Sequence, residues 1–389
     1  MARKLASIVE ISKVSPIEGA DRLEVAEMVD KGWKVVIQKD EFKVGDMAVY
    51  FEIDSYLDPN DERYAFLKDR CLRKFVSKAG SVLREGIRIK TIKLRGQISQ
   101  GLLMPLDKFP EIATTEFEGK KFVIGLAEQE GMDNPLIPFM GADVTDILHV
   151  EHYEEVKEQL QPSMGNPISA DAMGRFPSDY IPKTDEERLQ NLGNWFSKMK
   201  GRRWQVTCKH DGTSCTIAFS PTIDFENPNI VCSRNLRLKR ESSDGSVPVY
   251  WQMAEKYGIL EMLSVLFVGG CEYAVQGEIV GPGIQKDRNK EKELTFLCFR
   301  IWDIKKQTWV NPKETVELCD KLQIPHVQVV KDDFAFFDEI TSMDDALKFA
   351  EGKTDEGNER EGIVCKTVDD GPYASFKVIS NRYLLKQED

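Results

Sequence analysis

The segment QVTCKHDGTSCTI, residues 205–217, is the most informative part of the second half of the chain. Its first part is a β-like run that ends at Lys209. Asp211 and Gly212 form a turn signal, and a second β-like run follows from Thr213. The pattern predicts two strands, with Lys209 at the end of the first and Asp211 in the turn. Taken alone, it also fits a hairpin that carries a surface lysine.

The chain around this stretch has the composition of an ordinary globular protein. It has 389 residues, of which 41% are hydrophobic and 30% charged, and its net charge is −12. This length suggests two or three domains. No apolar run approaches the ~18 residues that a membrane span needs, so we expect no membrane partner. No obligate protein partner is predicted either. Eight scattered cysteines without a C-x-x-C pair indicate reduced thiols and an intracellular, reducing location in the cytoplasm or nucleus.

Residues 1–110 contain several short β-like runs, each ended by charged residues or by Gly, Asp or Pro. The runs are Leu5–Val14, Leu23–Met28, Trp33–Gln38, Met47–Ile53 and Ile87–Leu106. Short strands with this spacing predict a small barrel. The segment Pro16–Val25 resembles the opening of tRNA-binding OB modules. We therefore predict an OB-like module that binds RNA or a nucleotide.

A basic stretch lies within this first part. Arg63 to Arg95 holds eleven Lys and Arg residues, and only Asp69 and Glu85 oppose them. A local excess of nine positive charges can hold a polyanion even on an acidic protein, because its counterions are released. A solvated basic surface explains the same pattern equally well.

Five further segments follow residue 217 in an order that resembles a known superfamily. The segments are Ser233–Asn235, Ala274–Gln285, Phe299–Ile304, Arg360–Lys366 and Phe376–Asn381. Together with Lys209, they resemble the covalent nucleotidyltransferases, which include nucleic-acid ligases and mRNA capping enzymes. The wording G-E-x-x-G-P-G-I-Q is similar to that of nick-sealing, ATP-dependent RNA ligases. An OB-like module before the catalytic domain is typical of the Naegleria-type RNA ligase group.

The resemblance implies an α+β fold, in which an N-terminal OB-like β-barrel precedes an antiparallel-sheet nucleotidyltransferase (ligase adenylylation) domain. We predict the OB-like module over 1–110, a connecting extension over 111–183 and the nucleotidyltransferase domain over 184–389. The expected activity is that of an ATP-dependent RNA ligase. It would join 3′-hydroxyl and 5′-phosphate ends, in a nicked duplex, through a lysyl-AMP intermediate and an RNA-adenylate.

The resemblance also implies the roles of the residues that bind the nucleotide. Lys209 would be the nucleophile that takes AMP from ATP. Arg234 would orient the ribose or the incoming 5′-phosphate, and Phe299 would stack on adenine. Lys377 would contact the α-phosphate. The family's last motif usually carries two lysines, and here Lys377 stands without the second one, so Lys366 is a further candidate for a phosphate contact.

Two basic residues just upstream of the nucleophile are candidates for binding the β- and γ-phosphates. They are Lys183 and Arg188. A helix is also predicted here, over residues 185–199, with Thr184 as its N-cap and acidic residues in its first turn. A helix cap or a surface ion pair would explain the two basic residues as well.

Three carboxylates, those of Asp211, Glu278 and Glu361, would hold a hydrated Mg²⁺ or Mn²⁺. A lysine nucleophile must be neutral, yet at its free pKa of about 10.4 only about one molecule in a thousand is neutral at neutral pH. Nearby acids would raise that pKa further. Because a charge pair at 4 Å is worth about 4 kcal/mol at an effective dielectric of 20, a divalent cation beside Lys209 would outweigh the acids. Mg²⁺ sheds its water reluctantly, so binding through water is expected.

Two alternatives to the ligase stay open on the residues alone. A GTP-dependent mRNA capping guanylyltransferase shares the K-x-D-G lysine, but an OB module would follow its catalytic domain. A non-catalytic RNA-binding OB protein is the other alternative. The presence of Lys209 with all three carboxylates argues against it, since a domain that has lost its catalytic activity has no chemical need for four charged groups in one pocket.

Overall fold

A computed structural model describes residues 3–77, 80–124, 136–154, 156, 171–285, 292–354 and 357–386. The chain divides into two compact units, Met1–Asn166 and Pro167–Asp389. No helix in these described ranges is long and apolar enough to cross a membrane. All eight cysteines are free, and seven of them are buried, as predicted for reduced thiols.

The first unit is built almost entirely of short antiparallel strands. Its strands are β1 (Ala6–Pro16), β2 (Leu23–Met28), β3 (Lys34–Gln38), β4 (Met47–Phe51), β5 (Ser55–Leu57), β6 (Leu72–Val76), β7 (Val82–Arg88), β8 (Thr91–Leu94), β9 (Gln97–Gln100), β10 (Leu102–Pro105), β11 (Thr114–Phe117), β12 (Lys120–Ile124), β13 (Leu136–Pro138) and β14 (Glu151–His152). Its helices are α1 (Lys68–Cys71) and the 3₁₀ turns Glu62–Leu67 and Leu106–Lys108.

These strands form the predicted OB-like barrel. One sheet has the order β10-β4-β1-β2-β3, and a second has the order β14-β5-β7-β6. Alternate side chains of the strands point inward, so Ile8, Val49, Phe51 and Ile87 meet in one core. The α+β fold class, with an OB fold before an antiparallel-sheet domain, is confirmed.

The segment 111–183, which we expected to connect the domains, is shared between the two units. Val123 and Val144 are fully buried in the core of the first unit, and β11 to β13 form a small sheet there. Further along, Ala172–Arg175 pairs with a strand of the second unit. Residues 157–170 lie outside the described ranges.

Four cations of the basic stretch form ion pairs in the described part of the first unit. Arg63 pairs with Asp61 and Glu111, each at 2.6 Å. Arg88 pairs with Asp54 at 2.7 Å, and other pairs join Arg84 to Glu151 and Lys74 to Glu85. Arg63, Arg84 and Arg88 pair with acids from outside the stretch, so folding offsets part of its excess of nine positive charges. Lys78 lies outside the described residues.

The second unit combines two antiparallel sheets with helices. Its strands are β15 (Ala172–Arg175), β16 (Trp204–Lys209), β17 (Thr213–Phe219), β18 (Asn229–Cys232), β19 (Leu236–Leu238), β20 (Tyr273–Val280), β21 (Thr295–Asp303), β22 (Thr308–Trp309), β23 (Val329–Phe334), β24 (Gly362–Thr367) and β25 (Ser375–Ile379). Its helices are α2 (Trp195–Lys198), α3 (Val249–Lys256), α4 (Ile259–Val268), α5 (Pro312–Leu322), α6 (Phe336–Glu339), α7 (Met343–Ala350) and α8 (Asn381–Lys386), with a 3₁₀ turn at Leu189–Asn191.

Each sheet of the second unit buries one face against helices, and in the seven-stranded sheet part of the other face packs in a second apolar cluster. The seven-stranded sheet has the order β15-β19-β18-β17-β20-β21-β22, and the four-stranded sheet has the order β23-β16-β24-β25. Val275 and Ile279 of β20 pack in one core with residues of α3, α4 and α5. Trp204 of β16 and Phe376 of β25 pack in one core with residues of α6 and α7. Alternation along each strand then places the intervening residues on the opposite face.

Candidate active site

Lys209 lies where the chain passes from one sheet of the second unit to the other. The two strands of the opening motif do not pair with each other: β16 pairs with β23 and β24, whereas β17 pairs with β18 and β20. The predicted strands are confirmed, and the hairpin reading is wrong. Gly212 in the intervening turn is required because a Cβ there would lie 2.3 Å from the carbonyl oxygen of Ile279.

Three lysines share the polar face of the four-stranded sheet. Trp204 and Val206 point into the core, so Lys209 faces the other side. The register of β24 and β25 places Lys366 and Lys377 on that same face. The alternation of apolar and polar residues in three strands therefore collects the cations that the sequence singled out.

The three predicted carboxylates surround Lys209. Its Nζ donates to Oε2 of Glu361 at 2.7 Å. Glu278 projects from β20, where it pairs with Ser214, and Asp211 follows in the turn. Burial lowers the pKa of Lys209, but the negative charges of Glu361, Glu278 and Asp211 outweigh burial and raise that pKa above its usual value. Without a further cation, Lys209 is therefore held as an ammonium group.

The three carboxylates carry more negative charge than Lys209 can neutralise, and burial together with this excess raises the pKa of Glu278. Burial raises the pKa of Glu278 to about 7, and the charges of Glu361 and Asp211 add to this effect while Lys209 opposes it. Such a donor set suits a hydrated divalent cation, because oxygen ligands and excess negative charge are what Mg²⁺ and Mn²⁺ prefer. Among the described residues, no three acidic, His or Cys side chains form a group that could hold a metal ion directly.

A second group of cations is organised by Asp185, which the sequence analysis did not single out. Its Oδ1 accepts from Nζ of Lys377 at 2.7 Å, and its Oδ2 accepts from Arg234 at 3.5 Å. Burial lowers the pKa of Lys377, and the charges of Arg188 and Lys209 act in the same direction, while Asp185 opposes them. Asp185 thus connects the two residues predicted to contact the α-phosphate and the ribose or 5′-phosphate.

The segment that carries Asp185 and Arg188 is extended, so the helix predicted over 185–199 is wrong. The backbone N–H of Lys377 donates to the carbonyl of Glu187 at 2.9 Å, and Arg188 bridges to Lys377 as a parallel strand would. Pairing with β25 therefore overrides the helical pattern, and only 195–198 is α-helical. Lys183 lies apart from this pairing: its Nζ donates to Oδ1 of Asn235 at 2.8 Å, beside Arg234.

Lys366 of the four-stranded sheet contacts Phe299 of the seven-stranded sheet. Phe299 is the extra residue of a β-bulge, because Gln276 pairs with Arg300 but Gly277 pairs with Cys298. A bulge re-aims a side chain relative to its strand. The Lys366 ammonium donates to the Phe299 carbonyl and lies 5.7 Å from the centre of its ring. Burial, reinforced by Arg300, lowers the pKa of Lys366 to about 8.

Arg300, the residue after Phe299, forms a buried ion pair with Glu186 that the sequence did not predict. Arg300 donates to Glu186 at 2.6 Å, and its guanidinium also contacts the rings of Trp309 and Tyr373, 4.4 and 5.2 Å from their centres. Although burial opposes it, the charges of Arg300, Lys366 and Lys377 hold the pKa of Glu186 below its usual value. The adjacent acids of 185–186 offered no signal for this, because they also fit the first turn of a helix.

The last helix, α8, fixes one of the three carboxylates. Its Tyr383 hydroxyl donates to Oδ2 of Asp211 at 2.6 Å. Two residues upstream of the helix start, the backbone of Ile379 closes β25, and the N–H of Ser380 donates to the carbonyl of Glu361 at 2.8 Å. The end of the chain therefore connects to both Asp211 and Glu361.

Replacing Tyr383 with phenylalanine is expected to lower the free energy of unfolding by about 1–2 kcal/mol, because a hydrogen bond to a carboxylate is lost. Denaturant-induced unfolding measures the change. Tyr250→Phe is the matched control, since the Tyr250 hydroxyl contacts the neutral Thr213 hydroxyl at 3.0 Å, and its loss should be smaller. Equal losses in the two variants would contradict a specific role of the Tyr383–Asp211 bond.

Comparisons with known proteins agree with this arrangement. Residues 5–106 match an OB-fold domain family, and residues 202–379 match the RNA ligase family. The RNA ligase of Naegleria gruberi with PPi is similar over 100% of both chains, with 33% identity and a TM-score of 0.77. A variant of it with ATP and Mn matches over 100% of both chains, with 33% identity and a TM-score of 0.78. Another with AMP and Mn covers 98% of both chains, with 32% identity and a TM-score of 0.76. A comparison with curated protein sequences finds no match.

Proposed function

The chain belongs to the RNA ligase family, and from this premise we propose that it joins the 3′-hydroxyl and 5′-phosphate ends of RNA with ATP. The observation that carries the proposal is the contact of Lys209 with Glu361 at 2.7 Å, with Glu278 and Asp211 also acting on the same ammonium. Similar ligase structures contain ATP or AMP with Mn, which supports the same nucleotide and a divalent metal here.

Lys209 acts as the nucleophile. Its neutral amine attacks the α-phosphorus of ATP, a P–N bond forms, and pyrophosphate leaves. AMP then passes to the 5′-phosphate of RNA, and the 3′-hydroxyl displaces AMP as the strand is sealed. One site can serve all three steps, because each is an attack at phosphorus with a leaving group opposite the nucleophile.

The surrounding cations bind and orient the phosphates. Lys377 lies on the same sheet face as Lys209, and its charge and that of Lys209 affect each other, so it suits the α-phosphate. Arg188 acts on Lys377 from the adjoining segment, which supports a role at the β- and γ-phosphates. Lys183 lies beside Arg234 and would act at the outer end of the site.

Phe299 stacks on the adenine, and the Lys366 ammonium donates a hydrogen bond to the backbone carbonyl of Phe299. The contact of Lys366 with the Phe299 carbonyl supports a role in positioning the base-binding residue, rather than the phosphate contact considered from the sequence. Asp211, Glu278 and Glu361 would hold Mg²⁺ or Mn²⁺ through water. When bound, such an ion offsets negative charge around Lys209 and on the α-phosphoryl oxygens.

The RNA partner is proposed to be a nicked duplex, held in part by the first unit. Four cations of its basic stretch, Lys68, Arg70, Lys93 and Arg95, are exposed, and OB folds commonly bind nucleic acid. The free, buried cysteines support the further proposal that the protein acts in a reducing, intracellular compartment.

The test of this function has two readouts. The protein is incubated with Mg²⁺ or Mn²⁺ and α-³²P-labelled ATP or GTP, and label on the protein is measured. A 5′-³²P-labelled RNA strand in a nicked duplex is then assayed for joining. We expect protein label from ATP alone and a joined RNA strand. Label from GTP would indicate a capping enzyme, and no label from either nucleotide would indicate a binding protein.

A further inference from the structure

Gln276 is a buried polar residue on the face of the seven-stranded sheet that also carries Glu278. It lies on β20, two residues before Glu278, so the two side chains share a face. Its neighbours on that face are Thr216 of β17 and Arg300 of β21. Only 2% of Gln276 is exposed, so its amide must find partners within the protein or on a ligand.

The orientation of this amide is fixed by one contact. Nε2 of Gln276 donates to the carbonyl oxygen of Pro182 at 3.0 Å, and a second contact joins it to the Thr216 hydroxyl at 3.4 Å. A carbonyl oxygen only accepts hydrogen bonds, so the nitrogen must face Pro182 and the oxygen must point away from it. That oxygen, Oε1, has no hydrogen-bond partner among the described residues.

The position of Gln276 relative to Phe299 indicates what Oε1 would bind. The register of β20 against β21 slips between Gln276 and Gly277, and Phe299 is the residue that this slip inserts. Gly277 permits the close approach of the strands, because a Cβ there would lie 2.4 Å from the ring of Phe296. Gln276 therefore lies on the strand opposite the bulge that carries Phe299, the residue proposed to stack on the base.

We propose that Oε1 of Gln276 accepts a hydrogen bond from the 6-amino group of adenine and thereby selects ATP over GTP. This inference rests on the proposed function. Adenine carries an amino donor at position 6, whereas guanine carries an oxygen acceptor there. With guanine, its 6-oxygen and Oε1 of Gln276 would face each other, and neither carries a proton to donate. Guanine is therefore disfavoured, because Oε1 would stay buried without a hydrogen bond.

Base analogues test the inference on the unmodified protein. The rate of nucleotide transfer to the protein is compared, as kcat/KM, for ATP and for purine riboside triphosphate, which lacks the 6-amino group. We expect ATP to be favoured by about tenfold or more. Equal use of the two nucleotides by the unmodified protein would overturn the inference without any variant.

Two substitutions then assign the preference to Gln276. Gln276→Leu should reduce the ATP preference to within about twofold of unity, mainly by slowing the use of ATP. Gln276→Met serves where the leucine variant does not fold. The matched control is Gln205→Leu, because Gln205 is also a buried strand residue but its amide contacts Asp332 at 3.3 Å; it should keep the preference of the unmodified protein.

The remaining outcomes are distinguishable. An ATP preference that persists undiminished in the folded Gln276 variants would assign the amino group to another residue and overturn the inference. Absence of transfer from every triphosphate would contradict the proposed function itself, and the inference would fall with it.

Discussion

Replacing Lys209 with arginine is expected to abolish the transfer of AMP to the protein, with a loss of about 10³-fold or more, while the protein stays folded. Arginine keeps a positive charge beside Glu361, so the ion pair of 2.7 Å has a substitute in the variant. A guanidinium is not deprotonated in proteins, and it therefore supplies no neutral nitrogen to attack phosphorus. The variant separates the chemical role of Lys209 from its electrostatic role.

The measurement is label on the protein after incubation with α-³²P-labelled ATP, together with the thermal unfolding midpoint. Lys313→Arg is the matched control, since Lys313 pairs with Asp333 at 2.9 Å near the protein surface, and it should keep both the label and the midpoint. Substantial label on Lys209→Arg would mean that another residue is the nucleophile. Lys209→Met is less informative, because it leaves the nearby carboxylates without their partner.

The sequence predicted the centre of the site well because strand alternation and turn residues determine it locally. Lys209 ends a strand whose apolar residues must face a core, and Asp211 follows in a glycine turn. Glu278 lies within β20, and Glu361 immediately precedes β24. Antiparallel pairing then brings the four together, as the resemblance to RNA ligases implied.

The polar contacts around this centre could not be predicted, because they depend on long-range pairing. Asp185 and Glu186 fit the first turn of a helix equally well. In the structure they pair with Lys377 and Arg300, which lie more than a hundred residues away in sequence. Pairing of this segment with β25, together with these long-range contacts, outweighs helix propensity, which is worth only tenths of a kcal/mol per residue.

The boundary of the first unit escaped prediction for a related reason. Residues 114–124 have few apolar positions, yet Val123 is fully buried in the barrel core. Three cations of the basic stretch, Arg63, Arg84 and Arg88, likewise pair with acids that lie outside it in sequence. A count of charges along a segment therefore describes its surface only where folding brings no opposite charge from elsewhere in the chain.

Replacing Glu278 with glutamine is expected to have opposite effects on stability and on activity. The pKa of Glu278 is raised to about 7 from 4.5, so its protonated form is favoured in the folded protein. The resulting stabilisation is fully present below pH 4.5 and is lost as the pH rises through about 7. Glutamine mimics the protonated form at every pH. The metal-free variant should therefore be more stable than the unmodified protein by roughly 2–3 kcal/mol at pH 8, and equally stable at pH 4.

Denaturant unfolding in EDTA at the two pH values measures this difference. Glu293→Gln is the matched control, because the side chain of Glu293 is 76% exposed and pairs only at the surface with Lys256; its stability should change little at either pH. A variant that is destabilised at pH 8 would show that Glu278 is held by favourable contacts as a carboxylate.

The activity of Glu278→Gln decides whether the carboxylates serve a cation. The charge of Glu278 raises the pKa of Lys209, so its removal alone would increase the neutral fraction of the amine and speed AMP transfer. If the carboxylates instead hold Mg²⁺ or Mn²⁺, the variant loses part of that site, and transfer should fall by about 100-fold at a fixed metal concentration. Raising the Mn²⁺ concentration should recover part of the loss. Faster transfer in the variant would show that Glu278 only opposes deprotonation of Lys209, and the role assigned to the three acids would be wrong.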